Sequence, residues 1–313
     1  MSERVNVLML GGAKRVSLAR LLKSAGSRLG IDVSIVSYEI VPEVPIASEG
    51  EVVVGLRWRD AGIYDSLAQV ISKRDINVVL PFVDGAIEIC SALRRRHPDV
   101  FIPVSDFEVA HKMFDKAEAA RVFATHGFDI PATYDVNDCR FPAILKPREG
   151  SASRGIVVAR TAKDLAEAGD LSRYLVQEYI ENADEYTVDC YVSTVSGRVA
   201  CAVPRLRIST SGGEVDRTET RRIPTLMQQS EHILTELKFR GPVTLQFLHD
   251  KATDRYLLME INPRLGGGVV CSIHAGADIA EMILRESRGE EARRIDDWRD
   301  RALMTRYFAE VMF

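Results

Sequence analysis

The sequence is poor in paired cysteines, in long apolar runs and in charge of one sign. Its five cysteines, Cys90, Cys139, Cys190, Cys201 and Cys271, are odd in number and scattered, and none forms a C-x-x-C pair. That spacing suggests neither a zinc knuckle nor a disulfide framework and fits a reduced, cytoplasmic compartment. No stretch approaches the roughly 20 consecutive apolar residues of a membrane-spanning helix. The apolar run Val5 to Leu10 is too short for a signal peptide and is followed by Gly-Gly-Ala-Lys-Arg, so neither membrane nor secretion is expected. Lys and Arg number 41 against 45 Asp and Glu, a formal net charge of −4. That balance removes the broad electrostatic case for a nucleic-acid partner. The six histidines show no metal-ligand spacing. There is no internal repeat and no low-complexity segment.

What is present is ordinary globular material, with 46% apolar and 27% charged residues in 313. This is enough to bury real cores, and the length suggests two domains. Residues 1–103 alternate strand and helix signals. Val5–Leu10 reads as a strand closed by Gly11-Gly12, and an amphipathic stretch with Val16, Leu18, Leu21, Leu22 and Ala25 ends near Gly30. Val33–Val36 and Val78–Pro81 read as strands, Ile63–Ser72 and Ile87–Arg96 as helices, and Phe101–Val104 as a last short strand. Val52–Val54 is ambiguous. The alternation predicts a parallel sheet with helices on its faces, a Rossmann-like unit. The Gly11-Gly12 turn lacks the third glycine of a dinucleotide fingerprint, so it reads as a tight strand-to-helix turn that borders a substrate site at most.

Ser105 or Asp106 is expected to cap one helix running to about Thr125 and stopped by Gly127. Phe141 to Tyr179 reads strand, glycine-rich loop, strand, helix, strand. From Tyr186 onward strand signals dominate, at Thr187–Val192, Val199–Val203, Val243–Leu248 and Tyr256–Ile261, with a helix over Asp278–Ser287.

Four clusters carry chemistry. In Leu145-Lys146-Pro147-Arg148-Glu149-Gly150-Ser151-Ala152-Ser153-Arg154-Gly155, a lysine at a strand end meets a loop of small residues. Small residues admit phosphate oxygens to backbone N–H groups, although such a turn alone is more often only a turn. Glu178-Tyr179-Ile180, with Glu185 beyond, offers backbone groups and carboxylates, or is an ordinary acidic loop. Glu260 and Asn262 are two apart on one strand and share a face, and Gln246 on the partner strand can oppose them. Three oxygen donors of this kind suit Mg²⁺ shared with substrate phosphates, in preference to an Asn-Pro turn with Glu260 paired to Arg264. Arg264-Leu265-Gly266-Gly267-Gly268 makes an N–H-rich concavity beside a guanidinium, suited to an oxyanion. Arg205 and Arg207 share a strand face and grip an acceptor's carboxylate or phosphate, or else form a basic exposed edge.

Taken in order, these residues resemble the ATP-grasp superfamily, most of all the repeating half of the carbamoyl-phosphate synthase large subunit. The most specific part is Gln246…Glu260-x-Asn262-Pro263-Arg264, supported by Phe141–Pro147, the glycine loop and Glu178–Ile180. The resemblance implies a Rossmann-like leading domain over 1–103 and an α+β ATP-grasp domain over 104–313. The latter would have a small lid subdomain at about 134–180 and a larger antiparallel sheet. It implies that Lys116 and Lys146 contact ATP phosphates, with Lys146 also near the adenine. Gly150, Ser151, Ser153 and Gly155 would belong to the closing loop, Glu178, Tyr179 and Ile180 to the adenine site, and Glu185 to the ribose. Gln246, Glu260 and Asn262 would hold Mg²⁺, with Mn²⁺ as the alternative ion. Arg264 would face the transferred phosphoryl group, making Arg264, Lys146 and Glu260 the catalytic set, with Arg205, Arg207 and Gly267 toward the substrate. The implied function is an ATP-dependent ligase joining a small carboxylate to an amine or ammonia through an acyl phosphate. Kinase-type phosphoryl transfer and a nucleotide-binding subunit of a synthase-like assembly stay open. A homodimer is the prior for assembly. One half alone is too short for the two-half synthase, so carbamoyl phosphate synthesis is not the expected outcome.

Overall fold

The computed structural model describes residues 3–150 and 154–313. The first unit runs β1 (Glu3–Leu10), α1 (Val16–Leu29), β2 (Ile31–Glu39), β3 (Glu51–Val54), α2 (Ile63–Lys73), β4 (Val78–Pro81) and α3 (Asp84–Arg96). Its four strands pair in parallel in the order β3-β2-β1-β4. β1 is central because both its faces are apolar: Val7, Leu8, Met9 and Leu10 are fully buried. α1 stops where expected, at Gly30, whose φ of 72° lets its N–H close back on Gly26 and Ser27 carbonyls. The ambiguous Val52–Val54 stretch is strand β3. Phe101–Val104 is not a strand. Only Phe101 bridges Val78, because the chain must leave the sheet at Pro103 toward the second unit.

The helix expected from Asp106 to Thr125 is two helices, α4 (Phe107–His111) and α5 (Lys116–Thr125). Asp115 interrupts them and caps the second, accepting from the Ala117 and Glu118 amides. A small antiparallel sheet follows, from β5 (Ala143–Pro147), β6 (Val157–Ala159), α6 (Ala162–Glu167) and β7 (Tyr174–Glu178), in the order β6-β5-β7. It has its own core of Ala143, Leu145, Ala159, Leu165 and Val176.

The remainder is β8 (Asp184–Val192), β9 (Val199–Ser211), β10 (Glu214–Thr220), α7 (Pro224–Glu236), β11 (Gly241–Asp250), β12 (Arg255–Asn262), α8 (Val269–His274), α9 (Ile279–Glu286) and β13 (Leu303–Thr305). Six of these strands form an antiparallel sheet in the order β12-β11-β8-β9-β10-β13. α5 and α7 cover one face through Phe123, Leu226, Ile233 and Leu234. On the other side the large sheet shares one core with the first unit. Tyr191, Cys201 and Val203 pack with Val7, Met9, Leu18 and Leu22, and Ile279, Ile283 and Trp298 complete the cluster. Apolar burial therefore ties the parallel sheet rigidly to the large sheet, while the small sheet keeps a separate core. Among the described residues, no helix is long and apolar enough to cross a membrane.

Candidate functional site

A cleft of about 550 Å³ opens between the small sheet and the large one. Strand alternation explains its walls. On β5, Ala143 and Leu145 point into the small core, which leaves Ile144 and Lys146 to face the cleft. On β11, Thr244, Gln246 and Leu248 face it by the same rule. β12 departs from strict alternation. Gln246 stands opposite Glu260 and Phe247 opposite Leu258, so Met259 is the extra residue of a β-bulge. The bulge sends Leu258 into the core and brings both Met259 and Glu260 to the cleft. Sequence alternation alone had no signal for Met259.

The oxygen-donor set comes together as the spacing implied. Gln246 and Glu260 are register partners, and the Asn262 side-chain amide donates to Glu260 Oε1 at 2.8 Å. Arg264 does not pair with Glu260. Its Nε lies 3.3 Å from Asp84 Oδ1 and its Nη2 donates to Asn262 Oδ1 at 3.4 Å. Among the described residues no three His, Cys, Asp or Glu side chains converge as a metal site. The set here is one carboxylate and two amides, oxygen donors that fit a hard cation completing its shell with phosphate oxygens and water.

Lys146 is buried, and its Nζ donates to Gln177 Oε1 at 3.1 Å. Burial pushes its pKa down to about 8, against the opposing pull of the Glu260 carboxylate. Lys116, the first residue of α5, donates its Nζ to the Gly150 carbonyl at 2.7 Å, and its backbone N–H bonds the Arg148 carbonyl at 2.9 Å. Arg148 in turn forks onto the capping carboxylate of Asp115. One short region thus ties the start of the glycine loop to α5. Ser151 and Ser153 lie outside the described residues; Gly150 lines the cleft, and Gly155, at φ 74°, follows the loop.

Glu178, Tyr179 and Ile180 line the cleft where the small sheet joins the large one. The Glu178 amide donates to the Ala132 carbonyl and the Tyr179 amide to the Pro142 carbonyl. Ile144, Ile156, Ile180, Leu248 and Met259 supply apolar wall suited to a flat ring. Glu185 also faces the cleft, with its Oε2 3.4 Å from Arg207 Nε. Arg207 also donates to Gln246 Oε1 at 3.1 Å and to the Gly213 carbonyl at 3.2 Å, so it bridges Glu185 and Gln246, two of the sequence-derived positions.

Arg205 lies deeper than Arg207. It shares the Arg207 face, but it is only 1% exposed and forks onto Asp189 at 2.7 and 3.1 Å. Ser272 and Thr218 complete that buried network. Three of its five N–H donors are engaged in this way, and the guanidinium forms the floor of the cleft. The glycine run has its reason here. A Cβ on Gly268 would lie 2.5 Å from Arg205 Nη1, and one on Gly267 would lie 2.9 Å from Arg15 Nη1. Gly267 lines the cleft, and its carbonyl accepts from Arg306. The run is thus packed closely against guanidinium groups.

Arg15 was not anticipated as a site residue. It follows the Gly11-Gly12 turn, whose placement at the carboxyl end of β1 was the available hint. It lines the cleft and its Nη2 donates to Glu214 Oε1 at 3.3 Å.

Residues 170–307 match the family described as ATP-grasp in the biosynthetic pathway with Ter operon. The chain is 24% identical over 291 residues to a formate-dependent phosphoribosylglycinamide formyltransferase of Bacillus subtilis, covering 84% of this chain and 72% of that one. It is 28% identical over 148 residues to a probable alpha-L-glutamate ligase of Parasynechococcus marenigrum, covering 42% of this chain. The match spans only 31% of that ligase's length. Among solved structures, the biotin carboxylase domain of Hydrogenobacter thermophilus 2-oxoglutarate carboxylase superposes with a TM-score of 0.76 at 18% identity. It covers 95% of this chain and 73% of that one, and it was crystallised with MgADP and bicarbonate. N5-carboxyaminoimidazole synthetase of Staphylococcus aureus gives 0.74 at 16% identity, covering 94% and 80%.

Proposed function

We propose that this chain, which resembles ATP-grasp proteins in fold and over residues 170–307, is an ATP- and Mg²⁺-dependent ligase joining a small carboxylate to an amine or ammonia. The observation that carries the proposal is the meeting, in one cleft between two sheets, of Lys116, Lys146, Gln246, Glu260, Asn262 and Arg264. Phosphoryl transfer asks for positioning and charge neutralisation more than for a covalent helper. The adenine lies against Ile144, Ile180, Leu248 and Met259, with Glu178 to Ile180 along its edge and Glu185 toward the ribose. Lys146 and Lys116 hold phosphate oxygens. Gln246, Glu260 and Asn262 would hold Mg²⁺, which would supply positive charge against the phosphates; Mn²⁺ fits the same donors.

A substrate carboxylate oxygen attacks the γ-phosphorus. The O–P bond forms, the bond to the β-phosphate oxygen breaks, and ADP leaves. Arg264 neutralises the charge on the moving phosphoryl group. The amine nitrogen then attacks the acyl carbon, phosphate departs, and the nitrogen loses a proton. An acyl phosphate hydrolyses if wet, so the small sheet closes over the cleft during this sequence.

The test is ADP and phosphate release over a panel of carboxylates and amines. The ligase requires both products only when acid and amine are present together. A phosphorylated acceptor as final product would instead establish kinase-type transfer. The assembly, proposed as a homodimer in the cytoplasm, is read by light scattering on the full chain.

A further inference from the structure

At one end of the cleft, positive charge exceeds negative. Arg15, Arg264 and Arg306 gather there around Glu214 and Asp84. Arg264 belongs with the oxygen-donor set through Asn262. Arg306 is not among the cleft-lining residues. It donates to Glu214 Oε2 at 2.5 Å and to the Gly267 carbonyl at 2.5 Å, while its own amide is pinned to the Asp216 carbonyl at 2.8 Å. Arg15 and Glu214 are the members left lining the cleft without a part in nucleotide binding.

Arg15 is an unusual place to spend a guanidinium. Its side chain is 17% exposed and it shares one carboxylate with Arg306. Burial, together with repulsion from Arg264 and Arg306, pulls its pKa below the ordinary arginine value. Glu214 stays below the usual carboxylate range: burial raises it, but Arg15 and Arg306 overcome that. A largely buried, half-compensated cation is relieved by one more anion, and the planar fork of arginine favours a carboxylate or a phosphate.

Resting on the ligase reading above, we infer that the carboxylate substrate carries a second anionic group, a carboxylate or phosphate, and that Arg15 is the residue that reads it. Glu214 is the counter-ion that holds Arg15 between ligands and competes with the incoming anion. Arg306 positions Glu214. The leading sheet thereby contributes directly to substrate choice, through the one side chain that β1 and α1 deliver to the cleft.

The experiment is calorimetric titration of the full chain, loaded with Mg²⁺ and a non-hydrolysable ATP analogue. The probes are acetate, succinate, phosphoglycolate and inorganic phosphate. At least one doubly anionic probe is expected to bind about tenfold or more tighter than acetate, and Arg15→Gln to abolish that preference. Succinate against phosphoglycolate decides which anion is preferred. Glu214→Gln is expected to tighten the same probe by about threefold or more, since it removes the competing carboxylate. Arg15→Lys keeps the charge and restores part of the affinity, which separates recognition from a folding defect. Equal binding of acetate and every dianion, an unchanged preference in Arg15→Gln, or weakening by both Arg15→Gln and Glu214→Gln overturns the inference. The same titrations on unloaded protein read the anion preference independently. Failure of the ATP analogue to bind therefore counts against the ligase reading alone.

Discussion

The side-chain amide of Asn262 donates to Glu260 Oε1 across 2.8 Å, and Glu260 in turn stands in register with Gln246 on the neighbouring strand. Three oxygen-bearing side chains are thus fixed by the pleat of two strands, which is a more rigid support than a loop. Glu260 is the only carboxylate of the three, so it carries the charge that a divalent cation needs. Glu260→Ala is expected to lower kcat at saturating ATP and Mg²⁺ by about a hundredfold or more, with melting behaviour nearly unchanged. Normal turnover in this variant would falsify the metal assignment.

Lys146 makes a pH-dependent prediction. In the free protein its pKa lies at about 8, below the usual lysine value, because burial penalises the charge. Phosphates at the site would restore the charge and raise that pKa again. Between pH 8 and the ordinary lysine pKa, ATP binding should therefore take up a proton, visible as buffer-dependent enthalpy in calorimetry. ATP affinity should fall as pH rises through about 8, and Lys146→Met should remove both effects while weakening ATP at pH 7. For folding the sign is the reverse: the unfolded chain holds the proton more tightly in this window, so the penalty of burying Lys146 fades as pH rises from 8.

Asp115 has two partners whose loss should be separable. It caps α5 through the Ala117 and Glu118 amides and receives the fork of Arg148. Burial raises its pKa, but Arg148 and the two amides outweigh this and hold it below the ordinary range. Asp115→Ala should cost about 0.5–2 kcal/mol in urea unfolding. It should also speed tryptic cleavage near Arg148 and Arg154. Asp115→Asn retains a capping oxygen and should recover most of the stability without the protection at Arg148.

Arg205 and Arg207 should behave oppositely although they are two residues apart. Arg205→Ala leaves Asp189 as an uncompensated buried charge and should destabilise by roughly 3–5 kcal/mol. Arg207→Ala removes contacts to Gln246, Glu185 and the Gly213 carbonyl at the cleft surface. It should leave the melting temperature within a few degrees and raise the KM for ATP. A stable Arg205→Ala with impaired acceptor binding would reverse these two roles.

Much of the fold follows from local pattern. The run Val5–Leu10 is legible as a strand of a parallel sheet, the helix stop near Gly30 from its glycine, and Gln246, Glu260 and Asn262 as one oxygen-donor set from their spacing, while Lys116 joins them only through the family resemblance. Where local signals competed, reading failed in identifiable ways. Asp115 cut an apparently continuous helix because its carboxylate satisfies new helical N–H groups. The Phe101–Val104 run, apolar enough for a strand, is drawn out of the sheet to reach the second unit. Arg205 and Arg207 are indistinguishable by strand alternation, since period two assigns a face but not a depth along the strand.

The sequence by itself determined the chemistry on offer: which strand faces carry oxygen donors, which loop is small enough for phosphate, and which lysines precede it. Those properties depend on residues a few positions apart, and backbone geometry fixes them locally. Tertiary structure decided which of the charged groups are free to act. Asp189 consumes Arg205 from β8, Arg306 and Arg15 meet at Glu214 from opposite ends of the chain, and a bulge at Met259 chooses what lines the cleft. Charge compensation and close packing across hundreds of residues of separation set these outcomes, and no local pattern encodes them.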